Sequence, residues 1–394
     1  MKKLMLSAVA ALVAVAAFAQ GGNTGDGGYD GDYKSLAERL LKLEKKTDGF
    51  NLYLNYGASY QESISGKDIS GAFRAKQLRL EIKGTFGNHL SYRFRHRLNK
   101  SNAAMSEENF AKATDIMLVG WRFNDKFAIQ AGKMCQWWGG FEFDENPMYI
   151  YQYSDLLDNM DNFLAGVAFI YNPVPSQEFV VNITNAYSGT FANEYGAHAK
   201  TAAGESLSAA AHPLSYILNW NGSFLGGMLK TRWSAGTYIQ ADKEAADGTK
   251  TLLTDKLVYL GQSLNFDKFQ IYFDYMGNFE GLDRMRIATG MLGGDYQTDV
   301  HYNSFITKAN WQFAPGFNLM GKFMYETTST PQMKDLRTAL GYIGSLEYYP
   351  MKDQDLRFFL AYVGRSYKFS SALAMPAYSA HRIELGLMYR IKCY

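Results

Sequence analysis

From residue 50 to the C-terminus, apolar and polar residues alternate with a period of two. In the first run, residues 50–60, Phe50, Leu52 and Leu54 fall on one face and polar residues occupy the other. This period is that of a β-strand with one apolar and one polar face. Sixteen such segments follow one another along the chain, which predicts an all-β protein. Past residue 20, no apolar stretch approaches the roughly 18 uncharged residues that a membrane helix needs, so a helical membrane protein is excluded.

Three further features favour a transmembrane barrel over a soluble β-sandwich, which also alternates. Charged residues such as Lys308, Lys322 and Arg357 fall in the middle of strands, where a water-filled lumen would tolerate them. Aromatic residues crowd the strand ends, as in the girdles at membrane interfaces, and the connections alternate between short and long. The short ones are predicted at 87–88, 124–126, 173–177, 266–268, 314–316 and 350–354, and the long ones at 99–113, 134–162, 188–213, 241–252, 280–299 and 327–337. Residues 50–394 are therefore predicted to form an antiparallel transmembrane β-barrel of about 16 strands.

The first 48 residues are of a different kind. Residues 1–19 have two lysines, an apolar core and an Ala-Phe-Ala end, which predict a bacterial secretory signal peptide. A Gly-rich linker is predicted at 20–33 and a short amphipathic helix at 34–48. Its leucine seam needs a partner, because so short a helix is marginal alone. A small trimeric coiled coil and a helix against the barrel mouth are both compatible with that seam.

Cysteine and charge counts exclude several classes of protein. Only Cys135 and Cys393 are present, so the exported chain has no disulfide framework. Lys plus Arg number 40 against 38 Asp plus Glu, and removal of Lys2 and Lys3 with the signal peptide leaves the balance at zero. This balance does not suggest a nucleic-acid binder. The sequence contains no nucleophile-elbow, Cys-x-x-Cys or His-Glu-x-x-His motif, and we predict no enzyme activity, metal or cofactor.

The densest charge feature lies between residues 71 and 100, where eight basic residues stand against Glu81 alone. Arg79 and Lys83 lie on the face opposite to Leu80 and Ile82, and the three arginines at 93, 95 and 97 lie on the face opposite to their apolar neighbours. Alternate residues of a strand lie roughly 7 Å apart. If the apolar face meets lipid, this basic ladder faces the lumen, where guanidinium groups suit phosphate or carboxylate oxygens. In the alternative interpretation, the ladder pairs with carboxylates of facing walls or loops. The candidate anion-binding residues of the pore lining are Arg79, Lys83, Arg93, Arg95 and Arg97, with Lys133 as a weaker candidate.

The connection 134–162 is the predicted constriction. It combines Trp137, Trp138 and Phe141 with six acidic residues. This acidity departs from a purely basic eyelet and counts against strict phosphate selectivity. The loop either folds into the lumen or stays outside as a packing and subunit-contact element, and the sequence leaves both possibilities open.

The signal peptide, the short leucine-bearing helix and the succession of hairpins resemble the phosphate-selective porin O and P family, as it occurs in Bacteroidetes outer membranes. Within it, AIQAGKMCQWWGGFEFDEN (128–146) is similar to a family segment in which a strand ending in Gly-Lys leads into an aromatic, Gly-bearing loop. The resemblance implies a sixteen-stranded, homotrimeric diffusion channel in the bacterial outer membrane, in contact with lipid and preferring small anionic solutes such as phosphate. A barrel that acts as an adhesin or structural anchor through its long loops is the alternative.

Overall fold

The structure is a computed structural model that describes residues 49–394. The predicted signal peptide, linker and N-terminal helix lie outside the described residues. In the described part the chain forms one continuous sheet of seventeen strands. The strands are β1 (Asn51–Ser65), β2 (Asp68–Phe86), β3 (Leu90–Arg97), β4 (Thr114–Arg122), β5 (Phe127–Cys135), β6 (Phe163–Val174), β7 (Gln177–Asn185), β8 (Ser206–Ala209), β9 (Leu214–Phe224), β10 (Leu229–Glu244), β11 (Lys250–Asn265), β12 (Phe269–Leu282), β13 (Thr298–Ala314), β14 (Phe317–Ser329), β15 (Arg337–Tyr348), β16 (Asp355–Phe369) and β17 (Tyr378–Lys392).

The sheet closes on itself as an antiparallel barrel. Each wall strand pairs with its neighbours in sequence, and β1 pairs with both β2 and β17. The four-residue β8 pairs with β10 beyond the end of β9, so it extends a wall position that β9 already fills. The wall therefore has sixteen strands, as predicted from the period-two segments. Closure leaves no free sheet edge along the seam between the first and last strands.

Side chains alternate between the two faces of the wall. On β16, Phe358, Leu360 and Tyr362 point outward and are exposed, whereas the intervening Phe359 and Ala361 are buried inside. The other long strands repeat this division, with most large exposed apolar residues on the outer face. An apolar exterior around a polar interior is the pattern of a barrel surrounded by lipid. The predicted orientation of the apolar faces is confirmed.

The long connections all lie at one end of the barrel, where the β1–β2 hairpin nevertheless turns through residues 66–67 alone. At the end that holds residue 50 and the C-terminus, the turns have two to six residues. At the other end, the connections 98–113, 136–162, 186–213 and 283–297 are long. The predicted long connection 241–252 is wrong, because β10 and β11 pair up to Glu244 and Lys250 and leave only residues 245–249 between them.

Helices occur only as short pieces in the connections of the described residues. They are α1 (Phe141–Asp144), α2 (Asp155–Asn159), α3 (Phe191–Tyr195) and α4 (Ile287–Leu292), with 3₁₀ turns at Pro147–Tyr149, Leu225–Gly227 and Ser371–Leu373. Over residues 49–394, no helix has the length and apolar character that a membrane crossing requires. The first two helices belong to the connection between β5 and β6, where the functional site lies.

The outer face can be tested at Phe323, in the middle of β14. Replacement by arginine places a charge against hydrocarbon, and we expect a loss of about 2–4 kcal/mol in the free energy of unfolding. Denaturant titration in lipid vesicles measures this loss. Phe323→Leu, which keeps the apolar surface, is the matched control. Equal stability of the two variants would contradict the assignment of this face to lipid.

Candidate permeation site

The connection between β5 and β6, residues 136–162, folds into the barrel. Gly139 and Gly140 have φ angles of 77° and 81°, which L side chains rarely adopt, and turn the chain towards β12. There the backbone amides of Phe141 and Glu142 donate hydrogen bonds of 2.8 and 2.7 Å to the Asp274 carboxylate. We refer to residues 136–162 as the inner loop. Of the two positions left open by the sequence, the structure has the loop in the lumen.

Acidic residues of the inner loop hold it against the far wall. Glu142 forms an ion pair with Lys322 of β14 and also accepts hydrogen bonds from the amide and hydroxyl of Ser154, at 2.9 and 2.6 Å. Glu145 pairs with Lys308 of β13. These four groups are buried, so each carboxylate is balanced by an ammonium group beside it in a low-dielectric interior. The acidity of the loop is therefore largely neutralised by the wall.

A second set of contacts fixes the rest of the loop. The carboxylate of Asp155, at the start of α2, lies 2.7 Å from a guanidinium nitrogen of Arg337 and 2.6 Å from one of Arg365. The Tyr151 hydroxyl donates to Glu347 at 2.8 Å. Mid-strand charges such as Arg357, expected to face water, instead contact the loop: Arg357 donates to the backbone oxygen of Met148. A water-filled lumen was predicted from these mid-strand basic residues. In the structure they bind the inner loop within that lumen.

Across the lumen from these contacts, three arginines surround one carboxylate. Asp115 lies at a bulge in β4, where the register with β3 shifts between Arg95 and His96. Its carboxylate oxygens lie 2.8 Å from Arg97, 3.3 Å from Arg95 and 3.8 Å from Arg79, measured to each Nε. We call Arg79, Arg95, Arg97 and Asp115 the arginine cluster. With three cations around one anion, the arginine cluster has a net positive charge.

The remaining candidate residues have separate surroundings. Arg93 is buried with Glu81, at 2.9 Å, and Arg390 reaches the same carboxylate at 3.3 Å. Lys133 pairs with Glu108 at 2.7 Å. The Lys83 ammonium lies over the ring of Tyr53, nearer the end of the barrel that holds the C-terminus. The ladder therefore faces inward, but carboxylates pair with most of it, as in the alternative interpretation of the sequence.

A cavity of about 530 Å³ lies between the arginine cluster and the inner loop. Six cationic and three anionic residues line it. The cations are Lys76, Arg79, Arg97, Lys100, Lys112 and Lys133, and the anions are Asp115, Asp158 and Asp161. Of the six candidates from the sequence, the cavity brings together Arg79, Arg97 and Lys133, while Arg93 and Arg95 lie buried behind its wall and Lys83 lies elsewhere.

Lys100 and Lys112 are exposed cavity residues that the sequence analysis did not select. Both lie outside the strands, at the two ends of the connection 98–113, so strand periodicity gives no signal for their direction. Within residues 49–394, no carboxylate lies within 4 Å of either ammonium group. Their charges are therefore available to a solute in the cavity. The charge run that ends at Lys100 was the one signal that pointed to this region.

Asp158, at the cavity edge of α2, has an unusual carboxyl group. Enclosure by the surrounding protein, and the nearby carboxylates of Glu142 and Asp155, raise its pKa to about 6, against the opposing effect of Lys322. The group titrates within the range in which channel currents are measured. The net charge of the cavity is therefore more positive at pH 5 than at pH 7.

Replacing the buried Lys322 tests whether ion pairs hold the inner loop. We expect Lys322→Met to cost about 3–5 kcal/mol, because the Glu142 carboxylate stays buried without its cation. A loosened loop also raises the mean single-channel current and its noise. The double variant Glu142→Gln/Lys322→Met removes both charges and is the control, with stability and noise closer to those of the original protein. Quiet, unchanged currents in Lys322→Met would show that other contacts suffice.

The Asp158 titration predicts a pH-dependent ion preference. Between pH 7 and pH 5 we expect the chloride-to-potassium permeability ratio to rise about twofold, the effect of one unit charge acting on both ions through water over about 8 Å with screening by salt at about 0.15 M. Asp158→Asn should show the higher ratio at pH 7 and little change on acidification. Reversal potentials across a salt gradient measure the ratio. A pH dependence that survives in Asp158→Asn would assign the titration to another group.

Within the described part of the chain, no group of three or more His, Cys, Asp or Glu residues could hold a metal ion. Cys135 is buried and Cys393 is exposed, and both are free thiols.

A family model described as phosphate-selective porin O and P matches residues 50–391. None of the curated protein sequences matches the chain significantly. Among solved structures, the outer membrane channel DcaP of Acinetobacter baumannii has a TM-score of 0.59 at 10% sequence identity, covering 89% of this chain and 100% of that chain. An anion-selective porin from Comamonas acidovorans has a TM-score of 0.53 at 12% identity, covering 87% and 99%. OprB of Pseudomonas putida has a TM-score of 0.52 at 10% identity, covering 94% and 100%. At these identities the likeness concerns the fold.

Proposed function

The chain belongs to the phosphate-selective porin O and P family, and on this premise we propose that it is a diffusion channel for small hydrophilic solutes that favours anions such as phosphate. Its barrel lies in the outer membrane, in contact with lipid. The fixed charges of the lumen act on solutes by attraction and repulsion, without chemical conversion. The observation that carries the anion preference is the excess of cationic over anionic residues around the cavity.

The cavity has two tiers of positive charge. Lys100 and Lys112 are exposed, and an anion that enters from the long-loop end can meet them while it keeps most of its water. Arg79 and Arg97 follow on the wall, where the single Nε–H of Arg97 is already shared between the two carboxylate oxygens of Asp115. Several weak sites in series favour permeation, because a single strong site would retain the ion. The arrangement therefore suits passage better than tight capture.

The buried part of the basic ladder has an indirect role in this proposal. Arg93 and Arg95 are almost fully buried, so a solute does not touch them. Together with the acidic inner loop and its basic anchors, they contribute to the field across the constriction. Such a field orders water and solute dipoles, and the surplus cations of the cavity set its sign.

Phosphate preference has narrower support than anion preference. It rests on the description of the family and on the guanidinium groups of Arg79 and Arg97, whose planar forks fit phosphate oxygens. The solved anion-selective porin from Comamonas acidovorans supports anion preference on this fold. Three carboxylates in the cavity oppose strong retention of a multivalent anion. We therefore expect phosphate to pass and to compete with chloride at millimolar or higher concentrations.

Reversal potentials in planar bilayers test the anion preference. Lys100→Gln/Lys112→Gln removes two exposed charges, and we expect the chloride-to-potassium permeability ratio to fall about fourfold, twofold for each charge. Lys126→Gln, on an exposed turn at the opposite end of the barrel, is the matched control and should leave the ratio unchanged. Cation preference of the unmodified protein would overturn the proposal. A purified barrel that gives no conductance would favour the adhesin or anchor alternative.

A further inference from the structure

The wall opens between β11 and β12 at the end with the long connections. β11 pairs with β10 up to its first residue but with β12 only up to Asp255. There Gly281 approaches β11 so closely that a Cβ on it would lie 2.6 Å from the Thr254 backbone oxygen. β12 then turns towards the lumen, where the Leu282 amide donates to the Asp255 carboxylate at 3.3 Å. Within residues 49–394, residues 250–253 therefore have a neighbouring strand on the β10 side only.

A cavity of about 410 Å³ occupies this opening, and we call it the rim pocket. On the outer face of the wall it is lined by Leu252, Thr254, Lys256, Phe279, Asp299 and His301. Five of these six side chains are exposed, and Thr254 is half-buried. Among residues 49–394, none that lines the rim pocket also lines the permeation cavity. The rim pocket therefore opens to the surroundings of the barrel and is separate from the path of solutes.

The rim pocket lies beyond the aromatic girdle of the barrel. Tyr275, Phe305 and Tyr325 are in register on the outer faces of β12, β13 and β14. Phe279 and His301 lie four residues further along their strands towards the long connections and are again in register. Four residues span roughly 13 Å along a strand, which is about 10 Å of height at a tilt of about 40°. Since aromatic girdles mark the membrane interface and long connections face the exterior, the rim pocket lies among the headgroups of the outer leaflet.

Two basic side chains flank the ring of Phe279 in the rim pocket. Lys256 and His301 are its partners in register on β11 and β13, so their backbones lie about 10 Å apart. Within the described residues, no carboxylate lies within 4 Å of the Lys256 ammonium group. The His301 ring packs edge-on against Phe279, at 5.1 Å between centroids, and its nitrogens have no hydrogen-bond partner among residues 49–394. The two side chains are therefore available to one phosphate group, whose oxygens are strong acceptors.

The rest of the rim pocket offers an acidic group. The Asp299 carboxylate is exposed, and in the part of the chain that the structure describes it forms no ion pair. A carboxylate repels a free phosphate ion but accepts hydrogen bonds from hydroxyl and amino groups. Thr254 adds a hydroxyl group from the strand β11. The lining therefore suits a ligand that carries hydroxyl or amino groups as well as a phosphate, and suits phosphate alone less well.

We propose that the rim pocket binds the headgroup of a phosphorylated glycolipid of the outer leaflet. The phosphate contacts Lys256 and His301, and sugar hydroxyl or amino groups donate to Asp299. The acyl chains continue down the apolar outer face past Leu260 and Phe305, which are both exposed. The headgroup layer of simple phospholipids is about 5–8 Å deep, so a bulkier sugar headgroup matches the height of the rim pocket better. The site is on the outside of the barrel, and the inference does not rest on the proposed ion preference.

Native mass spectrometry of the full chain in mild detergent tests the lipid site. The probes are a monophosphorylated, acylated glucosamine disaccharide and the same lipid without its phosphate. We expect the phosphorylated lipid to bind at least about tenfold more tightly, and Lys256→Gln to remove this difference, as for a hydrogen bond between charged groups. Lys368→Gln is the matched control and should keep the difference, since Lys368 is an exposed lysine on the outer face of β16 at the same end of the barrel. Equal binding of the two lipids, or equal loss in the two variants, would overturn the proposal.

A second variant locates the lipid on the barrel. Thr254→Phe fills the rim pocket but leaves Lys256 in place, and we expect the dissociation constant of the phosphorylated lipid to rise at least about tenfold, because the headgroup no longer reaches its partners. The Thr254 side chain faces outward, so the barrel should still fold, which circular dichroism checks. Unchanged binding in Thr254→Phe would place the lipid elsewhere and contradict the proposal.

Competition identifies the source of the phosphate group. Inorganic phosphate, added at constant ionic strength, should leave the phosphorylated lipid bound, because the free ion lacks the hydroxyl groups and acyl chains that the site and the outer face accept. Displacement of the lipid by inorganic phosphate alone would assign the rim pocket to a free anion and reject the lipid site. Neither result alters the reversal potentials that test the proposed channel.

Discussion

The structure depends on the pairing of backbone polar groups in a medium that offers them no partners. Each unpaired N–H or C=O in hydrocarbon costs several kcal/mol, so a sheet in a membrane has to close. The pairing of β1 with β17 meets this requirement at the seam of the chain. Closure also creates an interior sheltered from lipid, in which charged side chains can pair with one another. The apolar exterior and the charged interior therefore follow from the same constraint.

Inside the barrel, charge pairing acts together with apolar packing, in which Trp138, Phe141 and Leu156 of the inner loop are fully buried. The inner loop brings acidic residues to a wall that carries lysines and arginines, and Glu142 with Lys322 is the most enclosed example. On the opposite wall the arginine cluster keeps an excess of positive charge, because one carboxylate faces three guanidinium groups. The cavity lies between a neutralised surface and a positive one. This asymmetry is the physical basis of the proposed anion preference.

The candidate site was predicted in part. The parity of Arg79 and Arg97 correctly placed them on the inner face, because a strand allows only two directions for a side chain. The same parity could not show that Arg93 and Arg95 are buried behind the cavity wall. Their surroundings depend on Glu81, on Asp115 at its bulge and on the inner loop. Lys112 was missed since it lies in a connection, where no period constrains direction.

The sequence by itself determined the number of wall strands, the direction of their faces and the short turns at one end of the barrel, because these follow from a period of two and from turn residues that act locally. It did not determine the position of residues 134–162, the partners of the basic ladder or the length of the wall at β3. Those depend on ion pairs and strand pairings between residues far apart in sequence, such as Glu145 with Lys308. Only the closed barrel brings such residues together, because their attraction acts over a few ångströms. No periodic pattern in the sequence between them indicates that they pair.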